Sequence, residues 1–394
     1  MQTKADNPFH PLMQIAPRPD AIFEQGAGGW LTDNHGKRYL DFIQGWAVNT
    51  LGHCPDAIVQ ALTQQAGRLI NASPAFYNRP LLECAAKLTQ HSAFDQVFFA
   101  NSGAEANEGA IKLARKWGQS HKNGAWKIIT FANSFHGRTL TTMAASGKPA
   151  FATLFEPKTP GFHKVPFNDA EAVRAAIDAD TVAIMLEPIQ GEAGVIPATT
   201  EFMQALRALA DDHRLLLICD EVQTGMGRTG DLFAYQGYGV EPDVMTLGKG
   251  LGGGVPISAL LAKTHACVFA AGEQGGTYNG NPLMTAVAAT VLDALLEPDF
   301  LPQARARSAQ MLSALESLSR QFGLGEVRGK GLLLALDTGD RDAAAIAQDC
   351  FARGLLINAP QPHTLRFMPA LNVSAEEISL MAGVLGDSLN SPLQ

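Results

Sequence analysis

The feature that most constrains the fold of this chain is a series of short, almost continuous apolar runs with helix-like stretches between them. The runs lie at 95–100, 126–131, 181–186, 214–219, 243–247 and 257–262. Apolar runs of this length are typical of strands that are buried on both faces of a sheet. Because helical patterns such as 104–117 and 200–212 separate several of them, the sequence predicts βαβ crossovers and an α/β fold, with a mostly parallel sheet flanked by helices.

The pattern changes after Ser308, where a smaller α+β unit is predicted. Its elements are a helix at 308–322, a strand at 325–337, a helix at 340–354, a strand at 364–369 and a final helix from Ala375. Near the N-terminus, a hairpin is predicted around Asn34–Gly36. We therefore expect an N-terminal segment (1–45) that packs with a small C-terminal domain (308–394), and a large domain (46–307) between them.

Composition and charge narrow the class of protein. At 394 residues, with 46% hydrophobic and 17% charged residues, the chain is typical of a globular protein with two domains. A net charge of −8 without a basic run argues against binding to nucleic acid or to an anionic membrane. No apolar run approaches the roughly 20 residues that span a bilayer, and no signal peptide is evident. Five scattered cysteines indicate reduced thiols or small buried hydrophobes, so we expect a cytoplasmic protein with small-molecule partners.

The stretch NSGAEANEGAIKLAR places a capping motif directly behind an apolar run. Ser102 can cap the helix that follows, and Gly103 permits a tight turn before it. The N–H groups of Gly103 and Ala104, the helix dipole and the Ser102 hydroxyl together form a candidate phosphate site. The same residues also fit a helix that is merely well capped, and both interpretations are open.

The apolar run at 214–219 delivers Asp220 to the carboxyl end of a predicted strand, the edge at which open α/β sheets bind ligands. A poorly solvated carboxylate there can keep the nitrogen of an aromatic ring protonated. Alternatively, Asp220 caps the glycine-rich turn that follows it. Glu221 points to the opposite face and is interpreted as a surface or helix-facing charge.

A single lysine, Lys249, lies among five glycines in DVMTLGKGLGGGVP. Gly248, Gly250 and Gly253 fit G-x-G-x-x-G, but that dinucleotide fingerprint opens a helix, whereas here a proline and a strand-like run follow. No Ser or Thr follows the lysine as a Walker loop requires. The adjacent glycines favour a buried amine with room for a bulky covalent partner over a solvated charge, because burial lowers the pKa of a lysine and makes it nucleophilic.

Asp220 and Lys249 follow neighbouring strand candidates and are therefore expected at one edge of the sheet. One pyridine ring could bond Lys249 through an aldehyde carbon, ion-pair with Asp220 through its nitrogen and place a phosphate at the helix start after Ser102. Together these features indicate pyridoxal 5′-phosphate (PLP), a cofactor that acts as an electron sink.

Six segments, in the order of the chain, carry a resemblance to a known family. They are NSGAEANEGAIKLARK, FHGRT, EPIQGEAGV, DEVQTGMGRTG, TLGKGLGGGVP and GTYNGNPL. On these segments the chain resembles the class III PLP-dependent aminotransferases of fold type I, and within them the acetylornithine and ornithine aminotransferases, nearly from end to end.

The resemblance implies a catalytic pair and a set of contacts to the cofactor ring. Lys249 would form a Schiff base with PLP, and Asp220 would pair with the ring nitrogen. Val222 and Phe135 would enclose the two faces of the ring, and Gln223 would contact its hydroxyl.

The resemblance also implies how the rest of the cofactor is bound. Gly103 and Ala104 would supply phosphate-binding amides beside Ser102, and His136 could tune the ring. Thr277, in GTYNGNPL, would reach the phosphate of the neighbouring subunit, so a homodimer with shared active sites is expected.

Four charged residues match positions that contact substrate in the family. Arg138 and Arg366 would bind carboxylates, a role that suits the planar guanidinium. Glu192 resembles a switch glutamate, which pairs with Arg366 when an amine is bound and releases it for the dicarboxylate 2-oxoglutarate. Glu187 resembles an acid that lines the site. Taken alone, the arginines also fit surface ion pairs, and Glu187 fits a satisfied carboxylate at a strand end.

The implied reaction is a ping-pong transamination that passes the terminal amine of a donor to 2-oxoglutarate, giving a semialdehyde and glutamate. Lys249 would move the proton as general acid and base. Ornithine-type members use an N-terminal tyrosine, but this chain has none before Tyr39, which favours N2-acetylornithine and arginine biosynthesis. Ornithine, succinylornithine and other omega-amine donors stay open, as does the effect of Asn279, where relatives often have glycine.

Two other function classes fit the same fold. A PLP-dependent aminomutase or lyase would keep Lys249 and Asp220 without turnover of 2-oxoglutarate. A non-catalytic binding protein would keep the pocket as a relic, but the joint presence of both residues with Arg138, Arg366 and Glu192 argues against this. No metal is expected, because the histidines show no metal-ligand spacing.

Overall fold

The computed structural model describes residues 9, 11–13 and 15–391. The helices are Gln44–Ala47 (α1), Asp56–Ala66 (α2), Arg79–Gln90 (α3), Gly103–His121 (α4), Leu140–Ala145 (α5), Ala170–Ala176 (α6), Thr200–His213 (α7), Pro282–Leu296 (α8), Phe300–Phe322 (α9), Ala343–Ala352 (α10) and Ala375–Asn390 (α11). The strands are Phe23–Ala27 (β1), Trp30–Asp33 (β2), Arg38–Asp41 (β3), Gln96–Ala100 (β4), Lys127–Phe131 (β5), Phe162–Val165 (β6), Thr181–Leu186 (β7), Ile189–Gln190 (β8), Ile196–Pro197 (β9), Leu216–Asp220 (β10), Val244–Leu247 (β11), Ser258–Ala262 (β12), Val327–Lys330 (β13), Leu333–Asp337 (β14), Leu355–Leu356 (β15), Asn358–Gln361 (β16) and Thr364–Phe367 (β17). None of the helices in these described ranges has the length and apolar character needed to cross a membrane.

The described residues form a central seven-stranded sheet in the order β4-β12-β11-β10-β7-β5-β6. Neighbouring strands are parallel, except that β12 is antiparallel to both β11 and β4. All the predicted apolar runs lie in this sheet, so the predicted mostly parallel α/β fold is confirmed. The strand β6 was not predicted, because in its sequence, FHKV, two polar residues interrupt the apolar run that marks the other strands of the sheet.

Burial on both faces explains why these strands are so uniformly apolar. Along β10, Leu217 and Cys219 pack into the layer that contains α7, while Leu216 and Ile218 pack into the layer that contains α4. At the carboxyl end of the strand, Asp220 lies opposite Thr246 of β11. The parallel pairing of β10 with β11 therefore brings Asp220 close to the loop that carries the lysine after β11.

The N-terminal strands extend toward the C-terminal part of the chain. Strands β2 and β3 form the predicted hairpin around Asn34–Gly36, and β3 pairs in parallel with β15, placing Leu40 opposite Leu355. Of the predicted N-terminal segment, residues 1–8, 10 and 14 lie outside the described residues, as do 392–394 of the predicted small domain.

A second sheet, in the order β13-β14-β17-β16, contains the C-terminal strands. The single strand predicted at 325–337 is wrong, because the chain turns back at Gly331 and forms the antiparallel pair β13 and β14. Gly331 has a φ of +63°, and a Cβ atom there would lie 2.4 Å from the carbonyl oxygen of Arg228, so a side chain has no room. Helix α9 runs unbroken across the predicted limit at 307/308, and the three-part domain division stays a proposal.

Candidate active site

A cavity of about 380 Å³ lies at the carboxyl edge of the central sheet. Its lining includes Ser102, Gly103, Ala104, Asn107, Phe135, His136, Arg138, Glu187, Glu192, Asp220, Val222, Gln223 and Lys249. The structure thus brings Asp220 and Lys249 into one cavity, together with the start of α4. Of the other predicted site residues, Arg366 contacts the lining residue Glu192, and Thr277 lies apart in an exposed loop.

Asp220 is 3% exposed and is surrounded by hydrogen-bond donors. Its Oδ2 accepts from Nδ2 of Asn107 at 2.8 Å and pairs with Nδ1 of His136 at 2.7 Å. Its Oδ1 accepts from the N–H of Val222 at 3.1 Å, which is the turn-capping role that was the alternative interpretation. This set of donors suits a carboxylate that is held in one orientation.

Sequence reasoning missed Asn107, which fixes this arrangement. It lies on the buried side of α4, accepts from Oγ1 of Thr246 at 2.7 Å, and donates to the carbonyl oxygen of His136 at 2.8 Å as well as to Asp220. The available signal was an asparagine in a helical stretch that is otherwise rich in alanine. Nε2 of His136 is buried and has no partner among the described residues.

Lys249 begins a short 3-10 turn, Lys249–Leu251, directly after β11. Its φ of +38° is unusual for a residue with a side chain and indicates a constrained backbone. Burial lowers the pKa of its ammonium below the ordinary value, although the nearby Glu192 carboxylate opposes this. A larger share of neutral, nucleophilic amine at neutral pH follows.

The glycines beside Lys249 are required by protein packing. A Cβ atom at Gly248 would lie 3.2 Å from Cγ1 of Val222, and one at Gly250 would lie 2.8 Å from Oγ1 of Thr50. The Thr50 hydroxyl also donates to the Gly250 carbonyl at 2.9 Å. The interpretation that these glycines leave room for a bulky ligand is therefore wrong, since protein atoms occupy the space.

The start of α4 is a well-capped helix that also leaves two backbone N–H groups facing the cavity. Oγ of Ser102 accepts from the N–H of Glu105 at 3.3 Å, and the Glu105 carboxylate accepts from the N–H of Ser102 at 2.8 Å, which completes a capping box. The N–H groups of Gly103 and Ala104 have no partner among the described residues and line the cavity. They are free to bind an anion.

Three further lining residues present polar groups or an aromatic face. Both amide atoms of Gln223 are buried without a partner among the described residues. The N–H of Phe135 donates to Oε1 of Glu187 at 2.8 Å, so the alternative of a satisfied carboxylate at a strand end describes part of its role. Burial raises the pKa of Glu187 to about 7, which allows this carboxyl to exchange a proton near neutral pH.

Arg366 is 0% exposed, so the alternative of a surface ion pair is wrong for this residue. Its Nη1 donates to Oε1 of Glu192 at 2.7 Å and to the carbonyl oxygen of Gly191 at 2.9 Å, and its Nε donates to Oδ1 of Asn358 at 2.8 Å. Its Nη2 is buried and has no partner among the described residues. Burial opposes ionisation of Glu192, but the combined effect of Arg366, Lys249 and Lys148 lowers the pKa of the carboxyl below its ordinary value.

Arg138 is exposed at the edge of the cavity. Its guanidinium lies 5.2 Å from the ring centre of Phe151 and 5.7 Å from that of Phe135. It makes no ion pair with any residue that the structure describes. This arginine is therefore available to a carboxylate from solution.

Of the two interpretations of Glu221, the surface charge is wrong, whereas the helix-facing charge fits, because its carboxylate contacts the start of the short 3-10 helix Ala234–Tyr238. The residue is 1% exposed, and its carboxylate accepts from the N–H groups of Ala234 at 2.6 Å and Tyr235 at 2.8 Å. Burial raises its pKa to about 7. Glu221 therefore holds the loop behind the cavity, whereas its neighbour Asp220 faces into it.

Comparisons with known proteins agree with one another. Residues 15–389 match the family model described as Aminotransferase class-III. The chain is 60% identical over 373 residues to acetylornithine aminotransferase 2 of Bordetella bronchiseptica, covering 94% of both proteins. It is 59% identical over 389 residues to the acetylornithine aminotransferase of Ralstonia nicotianae, covering 97% of both. The structure resembles that of N-acetylornithine aminotransferase from Stenotrophomonas maltophilia, with a TM-score of 0.83 and 39% identity, covering 94% of this chain and 96% of that one.

Proposed function

The chain belongs to the class-III aminotransferases, and from this premise we propose that it transfers the terminal amino group of N2-acetylornithine to 2-oxoglutarate. The products would be the semialdehyde and glutamate, as a step of arginine biosynthesis. The main observation in favour of this donor is that the chain is 60% identical, over nearly its whole length, to a relative named for acetylornithine. The absence of a tyrosine before Tyr39 supports it.

The enzyme is PLP-dependent, as its family is, and the residues of the cavity fit this cofactor. The free N–H groups at the start of α4 are suited to the phosphate, and the unpartnered amide of Gln223 is suited to the ring hydroxyl. Val222 and Phe135 offer apolar contacts to the two faces of a ring, and Asp220 offers a charge to its nitrogen. When bound, PLP supplies an aldehyde that takes up an amino group and a ring that withdraws electrons.

In the mechanism that we propose, the protein's own groups hold and move protons. Lys249, with its lowered pKa, removes a proton from the substrate carbon beside the reacting nitrogen and returns it as general acid. Asp220 presents its carboxylate at a fixed place, because Asn107 and His136 hold its Oδ2.

The two half-reactions require one site to accept different carboxylates. While the amine donor is bound, the Glu192 carboxylate occupies Nη1 of Arg366 and neutralises it. The dicarboxylate acceptor then replaces Glu192 and gains the unpartnered Nη2 of the same guanidinium. Arg138, which is exposed and without an ion pair among the described residues, serves a second substrate carboxylate.

A panel of donors tests the proposed specificity. With 2-oxoglutarate as acceptor, we expect kcat/KM for N2-acetylornithine to exceed that for ornithine by about tenfold or more, because an unacylated α-amine would carry a charge into this site. Succinylornithine and 4-aminobutyrate complete the panel, and the latter controls for loss of the α-carboxylate. Equal values across the panel, or a higher value for another donor, would contradict the proposal. Turnover without 2-oxoglutarate would instead indicate an aminomutase or lyase.

A homodimer is part of the proposal. Three large side chains are exposed near Thr277: Phe76 by 68%, Tyr77 by 86% and Tyr278 by 64%. Tyr278 follows Thr277 in the sequence. Phe76 and Tyr77 belong to loop 71–78, which lines one cavity together with loop 274–281. An exposed apolar face of this kind supports contact with a second copy. Sedimentation velocity should report a dimer, and replacing Tyr77 with aspartate should weaken it. A fully active monomer would refute shared active sites.

A cytoplasmic location is proposed as well. All five cysteines lie within the described residues and none forms a disulfide, which suits a reducing compartment. Cell fractionation followed by activity assay tests this, and activity confined to a membrane or exported fraction would contradict it.

A further inference from the structure

We propose that Lys148 is a positioning residue that receives the Glu192 carboxylate when this carboxylate leaves Arg366. The inference rests on the proposed function, because it concerns how one cavity accepts a dicarboxylate after an amine. It assigns a role to a residue that does not line the cavity and that sequence reasoning did not select.

Glu192 lies between two cations. Its Oε1 is 2.7 Å from Nη1 of Arg366, and its Oε2 is 4.0 Å from Nζ of Lys148. The exposed fractions of the side chains are 0% for Arg366, 22% for Glu192 and 31% for Lys148. The carboxylate therefore has a buried partner on one side and a more solvated partner on the other, and a rotation of its side chain exchanges them.

The backbone around Glu192 is held, which confines the movement to the side chain. The Glu192 carbonyl accepts from Nε2 of Gln361 at 2.9 Å, and the carbonyl of Gly194 accepts from Nε of Arg328 at 2.8 Å. Both donors come from the sheet that also carries Arg366. A shift of the whole loop would break these bonds, whereas a rotation of the carboxylate leaves them intact.

The backbone before Lys148 is held just as firmly. The N–H of Gly147 donates to Oγ of Ser134 at 3.0 Å, and the carbonyl of Gly147 accepts from the N–H of Asn133 at 3.0 Å. A Cβ atom at Gly147 would lie 2.1 Å from the carbonyl oxygen of Phe131, so the chain here packs directly against the end of β5. Lys148 thus projects toward Glu192 from a fixed point.

The other cations near Glu192 are committed elsewhere during the acceptor half-reaction. Arg366, Lys249 and Lys148 are the positive groups that stabilise the Glu192 carboxylate. Arg366 then binds the incoming dicarboxylate, and Lys249 acts on the reacting atoms. A carboxylate left unpaired in a partly buried site is unfavourable, and of these three cations among the described residues Lys148 is the one left to pair with it.

Binding of glutarate tests the proposal without turnover. Glutarate has the length and both carboxylates of 2-oxoglutarate but no keto group, and calorimetry with the PLP-loaded enzyme gives its Kd. We expect Lys148→Met to raise this Kd about three- to tenfold, and Lys148→Arg to restore it, because the lost contact is a partly exposed ion pair. The rate of the donor half-reaction, followed in a single turnover with N2-acetylornithine, should stay within about twofold.

Lys164→Met is the matched control. Lys164 belongs to the same neighbourhood, but its ammonium donates to the carbonyl oxygen of Ala144 at 2.6 Å and pairs with no carboxylate of the described residues. Its replacement should leave the Kd of glutarate unchanged. An equal loss in both variants would mean that general surface charge attracts the dianion, and would overturn the role of Lys148.

A double-mutant cycle with Glu192→Gln separates the possible failures. This variant should bind glutarate more tightly, and Lys148→Met should then have no further effect. If Lys148→Met weakens binding equally in both backgrounds, Lys148 contacts the dicarboxylate directly and the inference is overturned. If Glu192→Gln shifts the Kd but Lys148→Met alone does not, only the inference fails. If Glu192→Gln changes nothing, the switch in the proposed function fails with it.

Discussion

Replacement of Lys249 with alanine is expected to lower kcat about 10³- to 10⁴-fold. The change removes both the amine that carries the cofactor and the group that moves the proton at the substrate carbon. Because the start of α4 and Asp220 stay in place to bind the phosphate and the ring nitrogen, the variant should still bind PLP, although more weakly. Steady-state turnover of N2-acetylornithine and single-turnover spectra of the cofactor measure the two effects separately.

Lys263→Ala provides the control for this result. Lys263 forms an exposed ion pair with Glu241 at 2.8 Å, away from the cavity, so its loss should leave kcat unchanged. Borohydride should fix the cofactor to Lys249 in the wild-type enzyme. Attachment to another lysine, or turnover of the Lys249 variant within tenfold of wild type, would exclude the assigned role.

Asp220→Asn should lower kcat per bound cofactor about 10²- to 10³-fold, because the charge that keeps a ring nitrogen protonated is lost. Both oxygens of Asp220 accept hydrogen bonds, whereas the amide of asparagine has only one acceptor oxygen, so at least one hydrogen bond is lost in either orientation. Cofactor content after dialysis, measured by absorbance, and kcat corrected for that content give the comparison.

Glu221→Gln is the matched control for Asp220. The two carboxylates are adjacent in sequence and equally buried, but Glu221 holds the N–H groups of Ala234 and Tyr235 on the side away from the cavity. We expect this variant to unfold at lower temperature while its kcat per bound cofactor stays near that of wild type. Near-normal turnover of Asp220→Asn, or an equal loss in both variants, is the result that the proposed mechanism does not permit.

The strands of the central sheet could be predicted because burial on both faces leaves a strong local signal. The side chains of 216–219 point alternately into two helical layers, yet all four are apolar because both layers are built from apolar side chains. The edge strand β6 and the turn at Gly331 carry weaker signals. At Gly331 a side chain is excluded because the Arg228 carbonyl lies against it, and no local pattern indicates a contact between residues so far apart in the chain.

The site was predictable where a residue follows a strand or begins a helix, as Asp220, Lys249 and Ser102 do. Asn107, Asn358 and the contact of Lys148 with Glu192 were not, because their roles depend on which segments meet in space. The pairing of Glu192 with Arg366, by contrast, followed from the family resemblance. The glycines beside Lys249 show the opposite error. The sequence shows that they are small, but only the packing of Val222 and Thr50 shows that protein side chains occupy the space beside them.

Arg366 belongs to strand β17 of the C-terminal sheet, whereas Lys249 follows β11 of the central sheet. In the proposed function, the two ends of a bound substrate are thus held by residues of two different sheets. On this proposal, the distance between the two sheets sets the length of substrate that fits. Substitutions of side chains packed between the two sheets are therefore expected to change which substrate lengths are accepted, without altering any residue that takes part in the chemistry.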